Sequence, residues 1–197
     1  MFDPQNYWLF GYGSLIFKEP PHVVERVPGY VENSVRRFWQ SSIDHRGTEE
    51  QPGRVVTLLT HETFTKLGGE FEFESDYTVY GVAFKIDPKY AEEVREQIDY
   101  REKHGYRPVV LPFHAKSGGN WSCIAYVGSE DNDAFVGPET PEAVAKIIST
   151  TVGPSGPNID YLVNLEKAIR ELHPENQPDE YLERLLQLTK LFKADSV

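Results

Sequence analysis

Apolar and polar positions alternate in short runs over the first two thirds of the chain and repeat at helical spacing near its end. Apolar or aromatic runs bounded by turn residues predict strands. These runs cover residues 7–10, 30–40, 55–60, 79–86, 106–113 and 121–127. Apolar residues then repeat at helical spacing in three segments. These are residues 141–150, the segment after Asn158 with Leu162, Leu165, Ile169 and Leu172, and residues 179–192. Strands followed by clustered helices indicate an α+β fold with an antiparallel or mixed sheet that can curl into a barrel, and argue against a doubly wound βαβ fold.

A further predicted helix lies among the strands and ends near a carboxylate. Asp87 is typical of a helix start and Gly105 of the residue after a helix end, which predicts a helix over roughly Pro88–Lys103. Glu102 continues the apolar stripe of this helix. Burial and the negative end of the helix dipole would raise the pKa of Glu102, as suits proton transfer near neutral pH. The alternative is a frayed last turn, with Glu102 in water or paired with Arg101.

The first predicted strand ends in a turn bracketed by glycines, Gly11-Tyr12-Gly13-Ser14-Leu15. Two glycines at a strand end allow positive φ and close approach to a ligand, and successive N–H groups in such a turn can bind an anion. The turn lacks the third glycine of a dinucleotide-binding fingerprint and the Gly-Lys-Ser/Thr ending of a P-loop. As a bare pattern, a turn of this kind is most often only a turn.

Four arginines surround the hairpin predicted between the second and third strands, at positions 36, 37, 46 and 54. Arginine suits bidentate recognition of carboxylates, so the group is a candidate substrate grip; solvated surface arginines are the alternative. Beyond the hairpin, residues 61–78 contain Gly68-Gly69 and several acids. We expect this segment to be an insertion or a mobile loop within one domain that spans residues 1–197.

Composition narrows the possible partners and compartment. The 197 residues carry a net charge of −11, which argues against nucleic acid or an anionic membrane as the main partner. A single cysteine, Cys123, excludes an internal disulfide and fits a reducing compartment. With neither a signal peptide nor a stretch of ~20 apolar residues, the expected location is the cytoplasm. The six histidines lack metal-ligand spacing, so we expect no metal site.

Five segments in order resemble the ChaC-type glutathione-specific γ-glutamylcyclotransferase family over about residues 7–190. They are Tyr12-Gly13-Ser14-Leu15, Arg36 to Gln40 with Asp44 to Gly47, Pro52 to Val55, Tyr100 to Lys103, and Gly153 to Gly156 with Asn158 and Tyr161-Leu162. Five ordered matches are far more specific than any one of them. The resemblance implies a γ-glutamylcyclotransferase-like mixed β-barrel with surrounding helices.

The resemblance also implies the reaction and its residues. An enzyme of this family cleaves reduced glutathione to 5-oxoproline and cysteinylglycine without metal or organic cofactor, and Glu102 would be the general base and acid. The residues implied to bind the γ-glutamyl group are Leu9, Phe10, Gly11, Tyr12, Gly13, Ser14 and Leu15. Tyr161 is a candidate for a substrate-facing hydroxyl, with packing as the alternative, and Arg37 and Arg54 are candidates for contact with cysteinylglycine. The oligomeric state stays open, with a monomer favoured.

Two departures from the family pattern and two rival functions qualify this interpretation. His104 stands where glycine is common in the family, and residues 61–78 are longer than in its compact members. One rival is a cyclotransferase that acts on other γ-glutamyl amino acids or amines. The other is a non-catalytic γ-glutamyl-binding module, which would gain little from a carboxylate at Glu102.

Overall fold

The structure is a computed structural model that describes residues 2–73, 76–102, 105–173 and 179–194. Its strands are β1 (Trp8–Gly11), β2 (Val23–Glu32), β3 (Ser34–Ser42), β4 (Gly53–Thr60), β5 (Thr78–Ile86), β6 (Tyr106–Ala115), β7 (Asn120–Gly128), β8 (Val152–Gly153) and β9 (Gly156–Pro157). Its α-helices are α1 (His61–Lys66), α2 (Ala91–Arg101), α3 (Pro141–Thr150), α4 (Asn158–Leu172) and α5 (Glu180–Ala194). Short 3₁₀ turns cover Pro4–Asn6, Ser14–Ile16 and Pro88–Tyr90.

Five strands close into a barrel in the order β1-β5-β2-β6-β7. The barrel closes where β1 runs parallel to β7 at the Leu9–Ile124 pair, whereas the other neighbouring strands are antiparallel. Strands β3 and β4 form a separate antiparallel pair, and β8 and β9 form a very short one. The predicted α+β mixed barrel is therefore confirmed.

The core joins the barrel interior to the helices of the C-terminal half. Phe84 and Phe113 are fully buried in the barrel, as are Leu162 and Leu165 of α4 and Leu185 of α5. Burying such a side chain contributes about 1.5–3 kcal/mol, so the apolar stripes hold α4 against the sheet and α5 against α3 and α4. None of the helices within the described ranges combines the length and apolar character that a membrane-spanning helix needs.

The long strand predicted over residues 30–40 is two strands. Asn33 has a φ of 52°, and the chain turns there from β2 in the barrel to β3 in the separate hairpin. Asparagine tolerates this left-handed conformation better than most residues, which explains the break inside an otherwise continuous pattern. Strand β2 also begins earlier than predicted, at Val23.

Asn158 does not cap α4 as predicted. The N-cap position of this helix belongs to Pro157, and the Asn158 side chain is fully buried. Its Oδ1 accepts from the backbone N–H of Arg54 at 2.7 Å, and its Nδ2 donates to the carbonyl of the same residue at 2.8 Å. A primary amide can serve a donor and an acceptor together. Asn158 therefore links α4 to β4.

The segment 61–78 contains structure that the glycine-rich pattern does not predict. Its first six residues form α1, which Thr60 caps by accepting from the N–H of Thr63. Phe64 of this helix is buried and stacks on Trp39 at a centroid distance of 5.5 Å. Asp76, near the end of the segment, is fully buried. The described part of this segment thus covers a second, smaller core around β3 and β4.

Candidate active site

An open cleft of about 180 Å³ lies where the end of β1, the turn after β3, the end of α2 and the β8–β9 hairpin meet. Its lining residues are Ser14, Phe17, Lys18, Ser41, Ser42, Asp44, His45, Arg46, Val55, Arg101, Glu102, Tyr106, Ser155 and Tyr161. A smaller recess of about 50 Å³ shares four of them. It is lined by Phe10, Tyr12, Gly13, Ser14, Leu15, Val56, Glu102, Tyr106, Tyr126 and Tyr161. Glu102 therefore borders both the cleft and the recess.

Glu102 is the first residue after α2, and the backbone on both sides of it is hydrogen-bonded. Its N–H donates to the Ile98 carbonyl at 2.8 Å, and its carbonyl accepts from the N–H of Tyr106 at 3.1 Å. The helix ends at Arg101. The predicted end at Lys103 lies outside the described residues, as does His104. The Glu102 side chain is only 17% exposed, so this turn presents the carboxylate to the cavity and away from bulk water.

Burial raises the pKa of the Glu102 carboxyl above its ordinary value of 4.5. Arg101 opposes the shift, since its Nε lies 3.2 Å from Glu102 Oε1, and the negative charge of Asp44 adds to it. Desolvation disfavours the charged form of a carboxyl, whereas a nearby cation favours it. A carboxyl with a raised pKa accepts and returns a proton near neutral pH more readily than one in water.

Arg101 connects this carboxylate to the glycine-bracketed turn. Its Nη2 donates to Ser14 Oγ at 2.6 Å, while its Nε faces Glu102. One guanidinium thus fixes the relative positions of the turn and the carboxylate, because its donors are set in a rigid plane. Pairing with Arg101, which the sequence offered only with a frayed last turn, occurs here together with partial burial of Glu102.

The turn uses its glycines for close approach, not for positive φ as expected. Neither Gly11 nor Gly13 has a positive φ. A Cβ atom on Gly13 would lie 2.8 Å from Val56 Cγ2 and 3.0 Å from the Tyr161 hydroxyl. The backbone at Gly13 therefore lies against these side chains with no room for even a methyl group, and the 3₁₀ turn over Ser14–Ile16 begins at the next residue.

Three tyrosines, Tyr12, Tyr106 and Tyr161, line the recess together with Glu102. Tyr12 donates to the Tyr126 carbonyl at 2.6 Å, and Tyr106 donates to the Val56 carbonyl at 2.7 Å. Burial, with the Glu102 charge as a smaller cause, raises the pKa of Tyr12 and of Tyr106 well above 10 and that of Tyr161 to about 12. All three are protonated at neutral pH, and the hydroxyl protons of Tyr12 and Tyr106 are donated to these backbone carbonyls.

The structure brings together most of the residues implied by the family resemblance. Those that line the cleft or the recess are Phe10, Tyr12, Gly13, Ser14, Leu15, Glu102 and Tyr161. Leu9 and Gly11 do not line either cavity. Leu9 is fully buried in the barrel, and a Cβ on Gly11 would lie 2.9 Å from a carbon of the Phe84 ring. These two residues therefore support the turn from behind.

Arg37 and Arg54 do not line the cleft, and their geometry does not support the interpretation as substrate contacts. Arg37 Nη1 lies 2.7 Å from Asp76 Oδ1, in a pair whose side chains are 6% and 0% exposed. Arg54 forms a two-point contact with Glu139, at 2.6 and 2.8 Å. Each guanidinium thus forms an ion pair with a carboxylate of the protein itself, and that carboxylate balances its charge.

Tyr106 and Lys18 are among the residues that line this cavity but were not predicted as site residues. Tyr106 follows Gly105 directly, and its place at the start of β6 next to the end of α2 was the available signal. Lys18 belongs to a segment predicted only as a loop. Within the described ranges, no group of three or more His, Cys, Asp or Glu side chains is placed to hold a metal ion.

Comparison with known proteins gives consistent matches along the chain. A family model described as "ChaC-like protein" matches residues 7–191. The chain is 35% identical to a Saccharomyces cerevisiae protein named glutathione-specific γ-glutamylcyclotransferase, over 97% of this chain and 99% of that one. It is 40% identical to a Schizosaccharomyces pombe protein of the same name, over 87% of each. A crystal structure of a yeast γ-glutamylcyclotransferase specific to glutathione superimposes with a TM-score of 0.88 at 35% identity, over 96% of this chain and 98% of that one.

Proposed function

Because the chain belongs to the ChaC-like family, we propose that it is a glutathione-specific γ-glutamylcyclotransferase that converts reduced glutathione to 5-oxoproline and cysteinylglycine. The observation that carries the proposal is the position of Glu102, a partly buried carboxyl with a raised pKa at the junction of the cleft and the recess. The names of relatives at 35–40% identity over most of the chain support the same substrate.

The reaction needs no nucleophile from the protein. The α-amine of the γ-glutamyl group attacks its own γ-carbonyl, which forms the C–N bond of a five-membered lactam and breaks the C–N bond to cysteine. Intramolecular attack of this kind can be worth an effective molarity on the order of 10⁵–10⁸ M. Two protons leave the substrate ammonium, and the departing amine takes up two. The protein must therefore carry protons and stabilise the oxyanion.

Glu102 is the group that we assign to proton transfer. As a carboxylate it removes a proton from the α-ammonium and frees the nitrogen lone pair, and as a carboxylic acid it protonates the departing nitrogen. Its partial burial suits both roles, because it brings the two protonation states closer in free energy near neutral pH. A non-catalytic binding module would gain little from a carboxyl with a raised pKa at this position.

The turn between Gly11 and Leu15 is assigned to the γ-glutamyl group. The absence of a side chain at Gly13 brings the backbone to the wall of the recess, where N–H groups can bind a carboxylate or the oxyanion. The protonated hydroxyl of Tyr161 faces the same point and is a further donor. We also propose that the reaction takes place in the cytoplasm, the compartment that a single cysteine fits.

Isotope labelling tests the proposed reaction. The purified protein is incubated in H₂¹⁸O with reduced glutathione and, in parallel, with γ-glutamylalanine, and the products are followed by mass spectrometry. Cyclotransfer predicts unlabelled 5-oxoproline from glutathione, because water takes no part in the chemistry. Glutamate that carries ¹⁸O would identify a hydrolase and overturn the proposal. Unlabelled 5-oxoproline mainly from γ-glutamylalanine would instead identify a cyclotransferase of different specificity.

A further inference from the structure

Arg46 differs from the neighbouring arginines in what its guanidinium contacts. Three of them are each paired with a carboxylate: Arg36 with Asp179, Arg37 with Asp76, and Arg54 with Glu139. Arg46 donates from Nη1 to the Pro157 carbonyl at 2.9 Å, and its guanidinium carbon lies 5.9 Å from the centre of the Tyr161 ring. In the part of the chain that the structure describes, no carboxylate lies within ion-pair distance of this guanidinium.

This lack of a counter-charge is costly because Arg46 is only 5% exposed. Removing a charge from water without an ionic partner is unfavourable, and buried guanidinium groups are ordinarily paired. Five N–H donors cannot be satisfied by a single carbonyl oxygen. Since Arg46 lines the cleft, an anion that enters the cleft could supply the missing charge.

The position of Arg46 in the cleft determines which part of the substrate it can contact. Arg46 lines only the outer cleft, whereas Tyr12, Gly13 and Leu15 line only the recess, and Glu102 borders both. A substrate whose reacting carbonyl lies at Glu102, with its γ-glutamyl group in the recess, extends its cysteinylglycine part into the cleft. At neutral pH the negative charge on that part is the glycine carboxylate. Arg46 therefore lies on the side of this carboxylate.

The backbone that carries Arg46 is fixed before any ligand binds. Its N–H donates to Ser42 Oγ at 3.0 Å. A Cβ on Gly47 would lie 2.1 Å from the Gly53 nitrogen, and one on Gly153 would lie 2.3 Å from the His45 carbonyl oxygen. Three stretches of backbone thus touch directly around this turn. A side chain placed on such a support loses little further freedom on binding, which favours specific recognition.

We propose that Arg46 binds the glycine carboxylate of glutathione and thereby selects the tripeptide over γ-glutamyl compounds that lack it. This inference rests on the proposed function. The planar guanidinium donates two parallel hydrogen bonds to a carboxylate, a geometry that a lysine ammonium does not reproduce. Lys18, exposed at the rim of the same cleft, adds positive charge in a protein whose net charge is −11.

The test compares glutathione with glutathione amide, in which the glycine carboxylate is a neutral carboxamide of nearly the same size. The wild-type protein should use the amide with a kcat/KM about 10- to 100-fold lower, the range expected for losing charge-assisted hydrogen bonds. Arg46→Met should lose about the same factor on glutathione and almost nothing on the amide. The kcat/KM of Arg46→Lys for glutathione should lie between those of the wild type and Arg46→Met, because lysine keeps the positive charge but cannot donate two parallel hydrogen bonds.

The wild-type comparison needs no variant, so it stands even where Arg46→Met is destabilised by losing its bond to Pro157. Thermal denaturation of each variant accompanies the kinetics for this reason. Equal kcat/KM for the two substrates in the wild type would overturn the role of Arg46 and leave the proposed function intact. An equal loss on both substrates in a folded Arg46→Met would also overturn it. No 5-oxoproline from either substrate would overturn the proposed function itself and this inference with it.

Discussion

Replacing Arg37 by methionine separates a structural role of this arginine from a role in substrate binding. Arg37 and Asp76 form an ion pair with 2.7 Å between Nη1 and Oδ1, and both side chains are buried. The guanidinium also lies over the rings of Tyr181 and Phe64, at 4.4 and 4.7 Å. Methionine keeps the contact with these rings and removes the charge. The change therefore leaves Asp76 as a buried carboxylate without its partner.

The expected cost follows from the burial of the pair. Breaking a buried ion pair by removing one partner destabilises a protein by about 3–5 kcal/mol. For a chain of this length each kcal/mol lowers Tm by about 2–4 °C, so Arg37→Met should lower Tm by roughly 6–20 °C. Asp76→Asn should also destabilise the protein, because Arg37 then loses the carboxylate with which it is paired. The double variant should cost less than the sum of the single changes, with a coupling free energy of about 0.5–3 kcal/mol.

Thermal and urea denaturation measure the loss, and Arg184→Met provides the matched control. Arg184 pairs with Glu142 at 3.0 Å, but both side chains are about half exposed, and such pairs contribute about 0–1 kcal/mol. Well below its Tm, Arg37→Met should keep the wild-type kcat/KM for glutathione. The reasoning is refuted if Arg37→Met is no more destabilising than Arg184→Met. It is refuted equally if the variant keeps its stability and loses kcat/KM.

Two further predictions concern the cavity itself. Gly13→Ala should lower kcat/KM by about 10- to 100-fold, because a Cβ 2.8 Å from Val56 Cγ2 forces a displacement. Such a displacement typically costs about 1–3 kcal/mol. The double variant Gly13→Ala/Val56→Ala should recover part of the lost kcat/KM. Because the positive charge of Arg101 lowers the pKa of Glu102, Arg101→Gln should raise that pKa. The reaction needs the base form of Glu102, so the acid limb of the kcat/KM profile should move to higher pH. Arg95→Gln, on the same helix but paired with Asp99, should leave the profile in place, and an unshifted profile for Arg101→Gln would contradict the assignment of the limb to Glu102.

Features that depend on neighbouring residues could be predicted from the sequence. Helix α3 occupies the predicted residues 141–150, because Thr140 accepts from the N–H of Ala143 and Pro141 begins the helix. Burial of Glu102 could also be expected, since an apolar stripe and a following glycine set where α2 ends. Each of these features is determined within a few residues of the chain, where periodicity and capping act.

Features that depend on distant residues could not be predicted. Arg36 and Arg54 pair with carboxylates 143 and 85 positions further along the chain, so their local sequence cannot show that their charges are already satisfied. Four arginines around one hairpin looked equivalent, and only the tertiary structure leaves Arg46 facing the cleft. The break at Asn33 has a local signal, but a single asparagine in a run of strand residues is too weak to predict a change of sheet.

The measurement that tests the central claim most directly is the rate of 5-oxoproline formation from glutathione by Glu102→Gln. Glutamine keeps the size of the side chain and cannot exchange the proton, so kcat/KM should fall by about 10²–10⁴-fold, with Tm unchanged or raised because a partly buried charge is removed. Glu96→Gln, the same substitution at an exposed position of α2, should behave as the wild type. A Glu102→Gln variant that forms 5-oxoproline at the wild-type rate would contradict the assignment of proton transfer to this residue.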